Sequence, residues 1–153
     1  IFRPSVIYSP RDEFVNMLSM QVKLMPILPV LGDGKYLLQP VSADDVAAGF
    51  VKCLSMDETI GKTYEVGGPE QMNYDQILDE VALAMGKRPR PKIHVPLALM
   101  RPVIRALDGF QFFPVTEGQL DMLLMSNVCD PAPYAEDLGI ELTSFREGIG
   151  AYM

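Results

Sequence analysis

His94 is the only histidine in this 153-residue sequence, and it sits in an apolar run flanked by prolines with no carboxylate close by in sequence. An imidazole titrates near neutrality and suits general acid–base work, but it needs a partner to hold its tautomer, so a structural or exposed role is expected. Asp44 and Asp45 are adjacent carboxylates that could act as an acid–base pair or ligate a cation. On a helix such neighbours point about 100° apart, which makes sharing one substrate atom awkward, and helix capping is the expectation. Cys53 and Cys129 fit no Cys-x-x-Cys or Cys/His spacing, which predicts reduced thiols and no metal site. Gly32-Asp33-Gly34 has the composition of a phosphate loop, yet it opens onto a strand, whereas a phosphate cradle precedes a helix, so a tight turn is expected. Gly-x-Ser-x-Gly, His-Glu-x-x-His and Walker patterns do not occur, and no tyrosine is followed four residues later by lysine. The residues by themselves supply no self-contained catalytic set.

The chain that must position these residues is 48% hydrophobic and 22% charged, the balance of a globular domain with a core of its own. A net charge of -7 argues against nonspecific nucleic-acid binding, which needs basic surface. The one dense positive run, Lys87-Arg88-Pro89-Arg90-Pro91-Lys92, has prolines rather than aromatics between its cations and reads as a solvated connector. No apolar run approaches a bilayer span, so a transmembrane segment is not expected, and the two isolated thiols suggest a cytoplasmic protein.

Residues 1–10, rich in β-branched and aromatic side chains, predict a buried strand closed by a Ser-Pro turn. So apolar a strand wants neighbours on both sides, and the sequence is expected to be a piece of a longer chain. Asp12 caps a helix bearing Phe14, Met17, Leu18 and Val22, which Pro26 and Pro29 end. A short strand over 36–41 leads to a helix capped by Ser42 or Asp44, with Val46, Ala47, Phe50, Val51 and Leu54 as its expected buried stripe. A strand over 62–66 stops at Gly67-Gly68-Pro69, and Asn73 with Gln76 forms a capping box for a helix buried through Tyr74, Ile77, Leu78, Val81, Ala82 and Met85. Lys92 to Val95 predicts another strand. Residues 97–125 are apolar and methionine-rich, with Thr116 and Gln119 as a further capping box; a helix follows Asp130-Pro131, and Ser144 with Glu147 caps a last helix.

Three stretches taken in order carry a family likeness: Arg3-Pro4-Ser5-Val6-Ile7-Tyr8-Ser9-Pro10, then Gln39-Pro40-Val41-Ser42-Ala43-Asp44-Asp45-Val46-Ala47, then Tyr64-Glu65-Val66-Gly67-Gly68-Pro69-Glu70 before a capped helix. Together they resemble the carboxyl-terminal half of extended and atypical short-chain dehydrogenase/reductases. The nearest likeness is to the NAD-dependent epimerase/dehydratase and NmrA-like group that includes the nucleotide-binding accessory subunit of respiratory complex I. The resemblance implies an α/β, incomplete Rossmann-type fold, a few strands with about six helices. Residues 1–153 would form one domain, with 1–69 the remnant of the sheet region and 70–153 mainly helical. In that family the Gly-rich loop and the Tyr-x-x-x-Lys pair lie in the amino-terminal half.

The resemblance further implies an NAD or NADP cofactor, touched in this chain only by Ser5, Val6 and Ile7 through backbone groups suited to a carboxamide. Leu38 falls near the position where sugar-nucleotide epimerases hold the substrate diphosphate with arginine, which disfavours a UDP-sugar. An apolar substrate against Met100, Phe112, Phe113 and Met122 is the expectation. Two functions follow. One is the substrate-binding half of an NAD(P)-dependent oxidoreductase, epimerase or dehydratase, inactive and without tight cofactor binding by itself. The other is a non-catalytic module docking a partner protein or a membrane surface. A complementing amino-terminal half, or a second copy on the open edge of strand 1–8, is the expected partner.

Overall fold

A computed structural model describes residues 1–99 and 125–153. Where one strand is expected over residues 1–10 there are two short ones, β1 (Phe2–Pro4) and β2 (Ile7–Tyr8), separated by a bend at Ser5 and Val6. Each has one parallel neighbour among the described residues: β1 lies beside β6 (Tyr64–Val66) and β2 beside β5 (Val41–Ser42). The burial on both faces implied by the composition is not met, because Ile1 is 77% and Ile7 39% exposed. Pro4 sits in β1 without an amide to donate, which suits a strand whose second edge is open.

Helix α1 (Glu13–Leu24) begins where Asp12 accepts from the Val15 amide at 2.6 Å and buries Val15, Leu18 and Val22, with Phe14 and Met17 at the core margin. Past Pro26 the chain forms a strand that periodicity does not announce, β3 (Leu28–Leu31), pairing in parallel with β8 (Lys92–Val95). The 32–34 turn takes Gly32 and Gly34 to φ of 72° and 68°, where a β-carbon would be strained. Beyond it the expected strand breaks at Gln39 and Pro40 into β4 (Leu37–Leu38), antiparallel to β7 (Met72–Asn73), and β5. Helix α2 (Ala43–Cys53) is capped by the Ser42 hydroxyl, and a 3-10 turn at Asp57–Thr59 precedes β6.

Helix α3 (Tyr74–Ala84) carries the reciprocal capping box in full and buries the apolar residues assigned to it from Tyr74 to Ala82, with Met85 at the core margin. The last two described helices are α4 (Ala132–Leu138), stopped by left-handed Gly139, and α5 (Phe145–Gly150), capped by Ser144. The buried apolar residues form two clusters. One joins α1, α3 and α5 around Tyr8 and β3; the other joins α2 and α4 around Val41, Tyr64 and Val66. Helices thus cover the parallel strands from two sides, the arrangement expected of a mixed α/β domain built on parallel pairing.

Candidate functional site

Parallel strands present ligands at their carboxyl ends. Here β1 and β6 end together, with Pro4 in register with Val66 and the Ser5 amide donating to the Val66 carbonyl at 2.9 Å. The chain then opens on one side at Ser5 and Val6 and on the other at Gly67 and Gly68. A β-carbon on Gly68 would stand 1.9 Å from the Pro40 carbonyl oxygen, so only glycine lets these two segments approach.

Gln39 holds this end together. Its side chain is 1% exposed; Nε2 donates to the Gly68 carbonyl at 2.7 Å and Oε1 accepts from the Cys129 amide at 2.8 Å. The segment that Gln39 captures runs beside β4: the Asn127 amide donates to the Leu37 carbonyl, and the buried Ser5 hydroxyl donates to the Asn127 carbonyl at 2.8 Å. Residues 126–129 therefore wall the strand ends. No local spacing pointed to this wall. The available signal was one amide side chain, Gln39, inside the apolar run from Tyr36 to Val41.

Of the residues assigned to the cofactor, Ser5 has already spent its amide on Val66 and its hydroxyl on Asn127, while the Val6 carbonyl accepts from the Val41 amide at 2.9 Å. Ile7 lies in β2, partly exposed. Met100, Phe112, Phe113 and Met122 lie outside the described residues. The nearest helix start, that of α2, carries Asp44 and Asp45 in its first turn. That end repels an anion instead of receiving a pyrophosphate.

Asp45 does more than complement the helix dipole. It is buried, and its two oxygens accept from the Thr143 amide at 2.8 Å and the Thr143 hydroxyl at 3.0 Å, tying α2 to the segment before α5. His94, without an acidic neighbour in sequence, finds one in space: Nε2 lies 2.9 Å from Asp75 Oδ2 at the start of α3. Asp75 Oδ1 and the nearby Tyr36 hydroxyl are buried without a hydrogen-bond partner, and burial raises the Tyr36 phenol well above its ordinary value, followed by the field of Tyr74, Asp75 and Asp33. This is a His–Asp pair with no nucleophile set against it among the described residues. Burial, then Glu65 and Asp130, raises the Cys129 thiol, which favours its protonated form.

A cavity of about 640 Å³ opens between α3 and α5. Its walls carry Glu70, Asp79, Glu80 and Glu147, and its one guanidinium, Arg146, is held by both oxygens of Glu80. Four carboxylates make it unsuited to phosphate, and the strand ends at Ser5 are not among its walls. Among the described residues no group of three or more His, Cys, Asp or Glu is arranged to hold a metal ion, and no helix is long and apolar enough to cross a membrane.

No family model matches the chain. It is 36% identical over 100 residues to the Arabidopsis thaliana protein named NADH dehydrogenase (ubiquinone) 1 alpha subcomplex subunit 9, mitochondrial, a match covering 64% of this chain and 25% of the relative. With the Mus musculus protein of the same name it shares 30% over 148 residues, 94% of this chain and 38% of the relative. The chain thus spans between a quarter and two fifths of the length of these relatives. Among solved structures, a dTDP-glucose 4,6-dehydratase of Bacillus anthracis in complex with NAD superposes with a TM-score of 0.67 at 15% identity, over 99% of this chain and 42% of that one. A UDP-glucuronic acid 4-epimerase of Bacillus cereus, in complex with UDP-glucuronic acid and NAD, gives 0.67 at 21% identity, over 99% and 44%. These likenesses establish the fold. The resemblance to the carboxyl-terminal half of extended and atypical short-chain dehydrogenase/reductases stands in both sequence and architecture.

Proposed function

We propose that this chain, similar in sequence to accessory subunits of mitochondrial NADH dehydrogenase and folded like part of a nucleotide-sugar epimerase, is the substrate-side half of a nicotinamide-binding protein and performs no chemistry alone. The observation that carries this reading is the one-sided strand end. β1 is hydrogen-bonded in parallel to β6 alone among the described residues, and its carboxyl end at Ser5 and Val6 is walled by Asn127 and Gln39. Such an end suits a neutral carboxamide, whereas a dinucleotide also needs a phosphate cradle, and the acidic start of α2 is the reverse of one. The residues present fit only the nicotinamide end of NAD or NADP. When bound, that cofactor would supply hydride chemistry; the Ser5 carbonyl and the Val6 amide, which no described residue engages, would orient its carboxamide beside Ile7, and the wall at 126–129 would exclude water.

The subunit names of the relatives favour a second, compatible reading as an assembly module, and they favour a mitochondrial compartment over a cytoplasmic one. The open edge of β1 and the exposed apolar residues Phe50, Val51 and Leu54 of α2 offer surface for a complementing half or a second copy. A fluorescence titration with NADH and NADPH tests the proposal, run on the chain alone and with an added amino-terminal half bearing a Gly-rich loop. The chain alone is expected to show no saturable binding in the micromolar range, and the pair to show it. Submicromolar affinity in the chain alone would overturn the assignment.

A further inference from the structure

Charge is unevenly spread along this acidic chain: none of its twenty carboxylates falls between Phe14 and Gly32 or between Val81 and Leu99, the two stretches that hold Lys23, Lys87, Arg88, Arg90 and Lys92. The fold brings them together. Helices α1 and α3 pack side by side and lead into β3 and β8, which run in parallel, and the Leu28 amide donates to the Pro91 carbonyl. Both helices therefore finish at the end where both strands start, and the connectors 25–27 and 85–91 lie together at that end. Asp79 neutralises Lys92 at 2.5 Å; among the described residues Lys23, Lys87, Arg88 and Arg90 have no carboxylate within ion-pair distance. Beside them Leu24 is 71% exposed, and Met25, Ile27 and Leu83 are exposed as well.

We propose that this end of the molecule, with Lys23, Lys87 and Arg88 around Leu24, Met25 and Ile27, docks on an anionic lipid surface. Cations placed near a negatively charged leaflet are each drawn to it, and aliphatic side chains among them enter the headgroup boundary. The mixture of exposed aliphatic and cationic side chains favours a bilayer over an acidic protein segment. A peptide is held by a groove and by directional hydrogen bonds, whereas a bilayer takes up exposed aliphatic side chains such as Leu24, Met25 and Ile27 together with the cations among them. The dipole of α1 is complemented by Lys23 at its last turn, and among the described residues Lys87 and Arg88 have no carboxylate partner.

Co-sedimentation of the full chain with vesicles tests this, using pure phosphatidylcholine and phosphatidylcholine with about a quarter phosphatidylserine. Binding is expected to the second and not the first, and to weaken as salt is added. The double variant Lys87→Gln with Arg88→Gln is expected to lose about 25-fold in partitioning, and Leu24→Ser about tenfold. Because these side chains lie at the surface, both variants should melt like the parent, which circular dichroism checks. Equal binding to the two vesicle types, or binding unchanged in both variants, would overturn the proposal. So would binding of a soluble polyglutamate peptide through the same residues with no binding to vesicles, which would mark an acidic protein as the partner.

Discussion

The single side chain on which most of the candidate site depends is Gln39, because its amide joins three segments that are far apart in sequence: its own strand break, Gly68 and Cys129. Replacing it with leucine of similar bulk leaves the Gly68 carbonyl and the Cys129 amide without partners in a buried place. The expected cost is about 2 to 4 kcal/mol, read from urea unfolding, with methionine at the same position behaving alike. A loss below about half a kcal/mol would mean that water replaces the amide and that the wall at 126–129 is held otherwise. Neither this clamp nor the pairs Asp45 with Thr143 and His94 with Asp75 is written in local spacing, since the partners of Asp45 and His94 lie 98 and 19 residues away. Local rules identified Asp45 as a first-turn carboxylate, which it is, and could not show that the same group fixes the segment before α5.

Helix existence and capping were legible in the sequence because a cap and its stripe are separated by only a few residues: Asp12, Ser42, Asn73 and Ser144 all cap as their spacing requires. Which face of a helix is buried depends on what packs against it, and α2 shows the limit. Its expected inner stripe of Ala47, Phe50, Val51 and Leu54 faces outward, while Asp45, Val46 and Gly49 are buried. The reason is Tyr134, whose hydroxyl donates to the Asp45 carbonyl at 2.7 Å and lies 2.0 Å from where a β-carbon on Gly49 would be. Glycine at this position lets α4 lie close against α2, and that contact fixes the rotation of α2. In an isolated helix Gly49→Ala would gain about 1 kcal/mol from propensity. Here it must displace a buried ring, and a net loss of about 2 kcal/mol or more is expected. Thermal unfolding of the variant measures it; a raised melting temperature would show that Tyr134 moves aside freely. Strand β3 has no local signature for a related reason, since a four-residue segment containing Pro29 becomes a strand only through its pairing with β8.

At the scale of the whole molecule, both apolar clusters are built around tyrosines whose rings are buried and whose phenols must stay neutral. Burial pushes Tyr74 up to about 12; it does the same for Tyr134, with Asp45 adding to the effect, and for Tyr152, with Asp12 adding. Tyr8 and Tyr36 are raised further in the same direction, again chiefly by burial. The folded state thus prefers the protonated phenol, while an unfolded tyrosine gives up its proton near 10. The contribution to stability is complete below pH 10 and is lost as pH rises from 10 toward 12, because the unfolded chain then releases protons that the folded chain retains. Since Tyr74 and Tyr134 lie in different clusters, loss of either neutral ring loosens its own set of helices, and the two sets are joined through the pairing of β2 with β5. One cooperative alkaline transition is therefore expected, in which far-ultraviolet circular dichroism and tyrosinate absorbance change together and replacing Tyr134 with phenylalanine moves the midpoint upward. Tyrosinate absorbance that develops near pH 10 while the helices persist would show that these rings are open to solvent and that the two clusters are not what holds the chain folded.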